Sequence, residues 1–106
     1  MIEFKKYMDV PYSFTGCCKI IEFDSIRYYK DGLIHREDGP ALLYKGNKEW
    51  YINGYLHRED GPAIIYNSGK TYFYYKGNEY DNNFTIKTWK KFIENLKREE
   101  ELKIFL

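Results

Sequence analysis

A seven-residue string, His-Arg-Glu-Asp-Gly-Pro-Ala, occurs at residues 35–41 and again at 57–63, and this spacing of 22 limits the possible folds more than any other feature of the chain. A period of roughly 20 residues or more is that of one supersecondary unit, which cannot bury its apolar side alone and gains stability by stacking on its neighbours. The same lead-in precedes both heptads: Tyr28-Tyr29-Lys30-Asp31-Gly32 and Trp50-Tyr51-Ile52-Asn53-Gly54. A third lead-in, Phe73-Tyr74-Tyr75-Lys76-Gly77, comes 23 residues after the second, but Tyr80-Asp81-Asn82 stands where its heptad would begin. The array is therefore expected to end or be capped there. Upstream, Phe14-Thr15-Gly16 reads as a worn form of the heptad's Asp-Gly ending, which places the repeating part at 14–80.

The unit itself reads as a β-hairpin. Asp31-Gly32 and Asn53-Gly54 are the dipeptides that best accept the two positive φ angles of a type I′ turn. Lys45-Gly46-Asn47 and Asn67-Ser68-Gly69 mark the alternate turns, and the runs 41–44, 49–52, 63–66 and 71–75 between them are rich in aromatic and β-branched residues. These runs do not alternate cleanly: Trp50 and Ile52 would face one side and Tyr51 the other, so both faces of the sheet carry aromatic surface. From about Thr85 the pattern changes to helical spacing, with Ile86, Trp89, Phe92, Ile93 and Leu96 on one stripe and Thr85 or Asn83 available as cap. The fold class expected is mainly β with a C-terminal helix (α+β), an antiparallel hairpin-repeat meander covered by one amphipathic helix. It forms a single domain over 1–106, with repeats at 14–80 and the helix at 83–103. The charged run Lys97-Arg98-Glu99-Glu100-Glu101 is expected to be a solvated, self-paired surface, and the apolar tail Ile104-Phe105-Leu106 to dock on the sheet or on another subunit.

A formal charge of +1 supplies no general attraction to nucleic acid or membrane, and no stretch approaches the ~20 apolar residues of a membrane span. Residues 1–6 lack the apolar centre of a signal peptide. The vicinal Cys17 and Cys18 would point to opposite faces of a strand, a usage suited to a reducing compartment, so a cytoplasmic location is expected. Two histidines 22 residues apart and one Cys pair match no zinc-ligand spacing, and no phosphate loop or nucleophile elbow is present. We expect no enzyme, no catalytic residues, no metal and no cofactor.

For binding, Arg36 and Arg58 are the natural phosphate clamps, because a guanidinium offers a planar fork of donors and stacks on aromatic rings. His35 and His57 can add hydrogen bonds, and Tyr29, Trp50, Tyr51 and Tyr74 can sandwich a base. The competing reading is structural: a residue set repeated at fixed period does a repeated job, such as an Arg-carboxylate ladder between neighbouring hairpins with His bonded to a turn carbonyl.

The string Leu56-His57-Arg58-Glu59-Asp60-Gly61-Pro62-Ala63, with its lead-in and the opening Val10-Pro11-Tyr12-Ser13-Phe14-Thr15-Gly16, resembles the HREDGPA repeats of small bacteriophage, giant-virus and bacterial proteins. Those repeats are similar to divergent MORN-type hairpins, so the resemblance implies hairpin architecture for most of the chain before the helix. Small phage proteins of this size include inhibitors of host defence, some of which sequester cyclic-nucleotide immune signals. The function expected is thus a non-enzymatic, homo-oligomeric binder of a phosphate-bearing, nucleotide-like ligand, acting in the host cytoplasm if phage-encoded. The alternative is a protein-protein interaction module that inhibits or adapts a host protein.

Overall fold

The structure, a computed structural model, describes residues 1–81 and 83–104, with Ile104 given by its backbone alone. It is mainly β with one C-terminal helix. The strands are β1 (Ile2–Phe4), β2 (Gly16–Ile20), β3 (Ser25–Lys30), β4 (Leu33–Ile34), β5 (Leu42–Tyr44), β6 (Asn47–Glu49), β7 (Tyr51–Ile52), β8 (Tyr55–Leu56), β9 (Ile64–Ile65), β10 (Thr71–Tyr75) and β11 (Asn78–Tyr80), followed by α1 (Ile86–Ile104). The sheet runs in the order β1-β2-β3-β5-β6-β9-β10-β11, with β4 carried on β3 and β7-β8 forming a separate two-stranded arm. Pairing is antiparallel throughout except for β1, which lies parallel to β2 and breaks the simple meander.

Each heptad is a detour at a fork in a long strand. Tyr28 donates its N–H to Ala41 O at 2.9 Å and accepts the N–H of His35 on its own carbonyl at 2.9 Å; Trp50 repeats this with Ala63 at 2.8 Å and His57 at 3.0 Å. The first half of β3 consequently pairs with β5 and its last residues with β4, and the strand through Trp50 divides in the same way between β9 and β8. Ala41 and Ala63 close the forks and are fully buried. The turns form as the dipeptides require: φ is +49° and +78° at Asp31 and Gly32, and +48° and +83° at Asn53 and Gly54. The three-residue turn Asn67-Ser68-Gly69, between the paired Tyr66 and Lys70, holds one residue more than its counterpart Lys45-Gly46, which is why the third lead-in arrives after 23 residues instead of 22.

Cross-strand register assigns the two faces. Arg27, Leu42, Glu49, Ile64 and Tyr72 share one row, while Ile26, Leu43, Lys48, Ile65 and Thr71 share the next row on the opposite side. Both heptads and α1 lie on the second side, called here the heptad face; the first is the open face. Cys17 and Cys18 fall on opposite faces and are free thiols.

On the heptad face, Trp89 and Ile93 of α1 pack on Phe73 and Tyr75, with Tyr80, Phe84, Phe92 and Leu96 around them. Thr85 caps the helix through a reciprocal pair: its Oγ1 accepts the Thr88 N–H at 3.1 Å and its own N–H donates to Thr88 Oγ1 at 2.8 Å. Two expectations need correction. Ile86 is 56% exposed, because the helix meets the sheet only from Trp89 onward. The charged run is not simply self-paired, since Lys97 Nζ reaches Glu59 at 2.8 Å and Glu100 takes hydrogen bonds from Tyr75 Oη and Lys76 Nζ, both at 3.1 Å. The docking expected of the apolar tail, and Asn82 of the missing heptad, lie outside the described residues.

The open face is covered at its β1–β3 end, where Tyr7, Phe14 and Phe23 lie over it and Cys18, Ile20 and Ser25 are buried, and it is barer toward Tyr44, Tyr66 and Tyr72. The principal extents are 46 × 35 × 18 Å and the radius of gyration is 15.4 Å, against about 13 Å for a compact domain of this length. No helix among the described residues is long and apolar enough to cross a membrane.

Candidate functional site

The two heptads have the same internal geometry. Arg36 Nε donates to Asp38 Oδ1 at 3.0 Å and its Nη1 to the Pro40 carbonyl at 3.1 Å, and its guanidinium carbon stands 4.0 Å from the centre of the Tyr28 ring. Arg58 does the same with Asp60 at 2.9 Å, Pro62 at 3.1 Å and Trp50 at 3.9 Å. The guanidinium folds back across the heptad's own glycine: a Cβ on Gly39 or Gly61 would come within 3.0 Å or 2.9 Å of its central carbon. The motif thus reads as one device, an arginine stacked on the aromatic residue at the fork and tied by its carboxylate and prolyl carbonyl. This corrects the expected ladder, because the Arg-carboxylate pair is internal to each heptad and does not link neighbouring hairpins.

The link between hairpins is made by histidine. His35 Nδ1 accepts the N–H of Asn53, and His57 Nδ1 that of Lys76, both at 2.9 Å. The partner is a turn amide, not the carbonyl that was expected. Since Nδ1 accepts, the imidazole proton sits on Nε2, which in His57 points at Glu59 Oε2 3.1 Å away. The equivalent acceptor for the first hairpin is Thr15 Oγ1, which takes the N–H of Asp31 at 2.9 Å. Residues 14–16 therefore match the opening of a heptad, Thr15 taking the place of His, and not its Asp-Gly ending. Burial opposes the ionised form of Glu59, but the hydrogen bonds from Lys97 and His57 outweigh it and hold the carboxyl below its usual range. The hydrogen bond from Lys76 does the same for Glu100.

A groove of about 760 Å³ lies between successive heptads, with Trp50, His57 and Arg58 in its wall. Four carboxylates, Glu37, Asp38, Glu59 and Asp60, share that wall. Such a lining opposes a phosphate, and Arg58 is already committed to Asp60. Replacing Arg58 by Ala should cost about 2 kcal/mol, from the lost stacking on Trp50 and the lost hydrogen bonds. The readout is a lower urea midpoint, and an unchanged midpoint would deny the heptad arginine a structural role.

The eight candidate binding residues do not form one site. His35, Arg36, Trp50, His57 and Arg58 belong to the heptad face, whereas Tyr29, Tyr51 and Tyr74 lie on the open face. Tyr29 packs edge-on against Phe14 at 6.0 Å. Tyr51 donates to Glu49 Oε1 at 2.6 Å, and burial together with that hydrogen bond pushes its phenol well above the ordinary tyrosine range. Tyr74 is raised too, by burial and then by Glu79.

Sequence reasoning missed Arg27, which shares the open face with Tyr44, Tyr51, Tyr72 and Tyr74. Its Nε donates to the buried Ser25 Oγ at 3.3 Å, and its guanidinium lies 5.8 Å and 5.9 Å from the ring centres of Tyr7 and Phe23. A cleft of about 330 Å³ opens beside it, lined by Phe23, Ser25, Leu42, Tyr44 and Glu49. Arg27 lies outside both the heptads and their lead-ins, so the repeat gave no signal for it. Comparison of the chain with protein-family models, curated proteins and solved structures finds no match.

Proposed function

We propose that this chain is a non-enzymatic binding protein that holds a phosphate-bearing, nucleotide-like ligand on the open face of its sheet. In this reading it is a phage-type anti-defence protein that sequesters a nucleotide immune signal in the host cytoplasm. The observation that carries the proposal is the surface left uncovered. The accessible area is 7376 Å² for a 12.9 kDa chain, whereas a compact monomer of that mass exposes about 6,300 Å². The excess, about 1,000 Å², exceeds the ~800 Å² that one partner contributes to a standard interface. Tyr44, Tyr51, Tyr66, Tyr72 and Tyr74 line the open face, none of them fully buried, and flat aromatic side chains are suited to stacking on a base. Strands β1 and β11 end the sheet with outer edges unpaired among the described residues, so a second copy can pair there and leave the face to the ligand.

A second reading, a docking surface for a host protein, is favoured by one observation: the heptad arginines, the expected phosphate clamps, are bound to their own carboxylates and carbonyls. Tyrosine-rich surfaces are also enriched at protein interfaces. A thermal-shift panel of cyclic dinucleotides, cyclic trinucleotides and ADP-ribose derivatives separates the two. A true ligand at roughly a hundredfold excess over its Kd should raise Tm by about 10 °C. No shift from any compound would overturn the nucleotide reading and leave the protein partner.

A further inference from the structure

We infer that Arg27 anchors an anion-binding site on the open face, in the cleft it shares with Phe23, Ser25, Leu42, Tyr44 and Glu49. The inference rests on the binding reading above and assigns its ligand a place and a chemistry. Arg36 and Arg58 each hold a carboxylate, but Arg27 has none within 4.0 Å among the described residues. Its Nε is fixed by Ser25, while neither terminal nitrogen has a hydrogen-bond partner among them. A partly buried guanidinium with its outer edge open is a bidentate receptor for a phosphate or carboxylate. The rings of Tyr7 and Phe23, stacked on each other at 6.4 Å, lie together on one side of it, and with the Ser25 hydrogen bond they restrict the side chain before a ligand arrives.

Glu49 narrows the ligand class. Leu42 lies between Arg27 and Glu49 in the same row, which separates the two backbones by two strand spacings, about 10 Å. One oxygen of Glu49 accepts from Tyr51, and Glu49 is among the residues that line the cleft. It would repel a bare dianion, but it accepts from the N–H edge of a base. Arg27 for phosphate, Glu49 for ring or exocyclic N–H and Tyr44 for the flat face together describe a nucleoside monophosphate unit, alone or within a larger nucleotide. At about 330 Å³ the cleft is near the lower end of the range for small-molecule sites.

The test is calorimetric titration of the full chain with guanosine 5′-monophosphate, adenosine 5′-monophosphate, guanosine and inorganic phosphate. A monophosphate should bind, and inorganic phosphate or the bare nucleoside should bind at least about tenfold more weakly. Arg27→Gln should weaken the monophosphate by about tenfold or more and Glu49→Gln by a smaller factor, while Arg58→Gln stays within about twofold. If Arg27→Gln does not fold, the Nε–Hε resonance of Arg27 in the unaltered protein gives the answer: it should move on titration while those of Arg36 and Arg58 hold still. Binding that Arg27→Gln leaves intact, or a fixed Arg27 resonance, sinks the site and spares the binding function. Failure of every probe to bind overturns the site, and the nucleotide reading falls with it if the wider panel of cyclic nucleotides and ADP-ribose derivatives is also silent.

Discussion

Replacing Trp89 by Ala is expected to release α1 from the sheet and to lower stability by about 3–5 kcal/mol, a large part of the 5–15 kcal/mol that holds a typical domain. Trp89 is fully buried, and its ring centre lies 5.0 Å from Phe73, 5.1 Å from Phe84, 5.7 Å from Tyr80 and 5.8 Å from Phe92. Its Nε1–H also donates to the Arg58 carbonyl at 2.9 Å, so truncation leaves a backbone acceptor of the second heptad without its partner. Phe73 stands where the earlier units place Tyr28 and Trp50, and there it meets an indole in place of a guanidinium. Trp89→Phe should recover most of the packing but not the hydrogen bond. Guanidinium unfolding followed by helical circular dichroism measures both variants, and a loss below about 1 kcal/mol for the alanine would show that the helix is an accessory and not the closing element.

Gly32→Ala should be nearly as damaging, for a reason confined to the backbone. A Cβ at this position would lie 2.1 Å from the Tyr12 carbonyl oxygen and 2.8 Å from the Tyr12 Cα, with φ at +78°. Neither side of that contact is a movable side-chain end. Gly54 occupies the same place in the next hairpin with φ at +83°, yet its Cβ would first meet Leu33 Cδ2 at 3.6 Å. Gly54→Ala should therefore cost only the left-handed backbone, about 1–2 kcal/mol, whereas Gly32→Ala adds overpacking of about 1–3 kcal/mol. The segment around Tyr12 should also lift away and become open to limited proteolysis. Equal losses for the two variants would mean that the Tyr12 contact yields without cost.

The contrast between Gly32 and Gly54 shows what a repeat makes legible and what it hides. Turn types, hairpin boundaries, the helical stripe and the opposed faces of Cys17 and Cys18 follow from local rules of period and φ, and these are written in the sequence. The forks at Tyr28 and Trp50 were not legible, because a strand that changes partner halfway has the same composition as one that does not. The parallel β1, the tight seat of Gly32 under Tyr12 and the exposure of Ile86 depend on contacts distant in sequence. Among the candidate ligand residues, Arg36 and Arg58 stand out as guanidinium forks, while their recurrence points to a repeated structural job, and each makes the same contacts inside its own heptad. Arg27 occurs once, and that no carboxylate among the described residues comes within 4.0 Å of it is visible only when the strands are laid side by side.

The histidine contacts run in one direction along the chain. Thr15, His35 and His57 each present an acceptor to a turn that lies 16, 18 and 19 residues downstream. During synthesis the landing place for every hairpin therefore leaves the ribosome before the hairpin that will occupy it. Each docking step closes a short loop, a topology that favours rapid folding. The sheet can be laid down row by row as the chain emerges, and the helix bearing Trp89, which appears after the strands it covers, seals the final row.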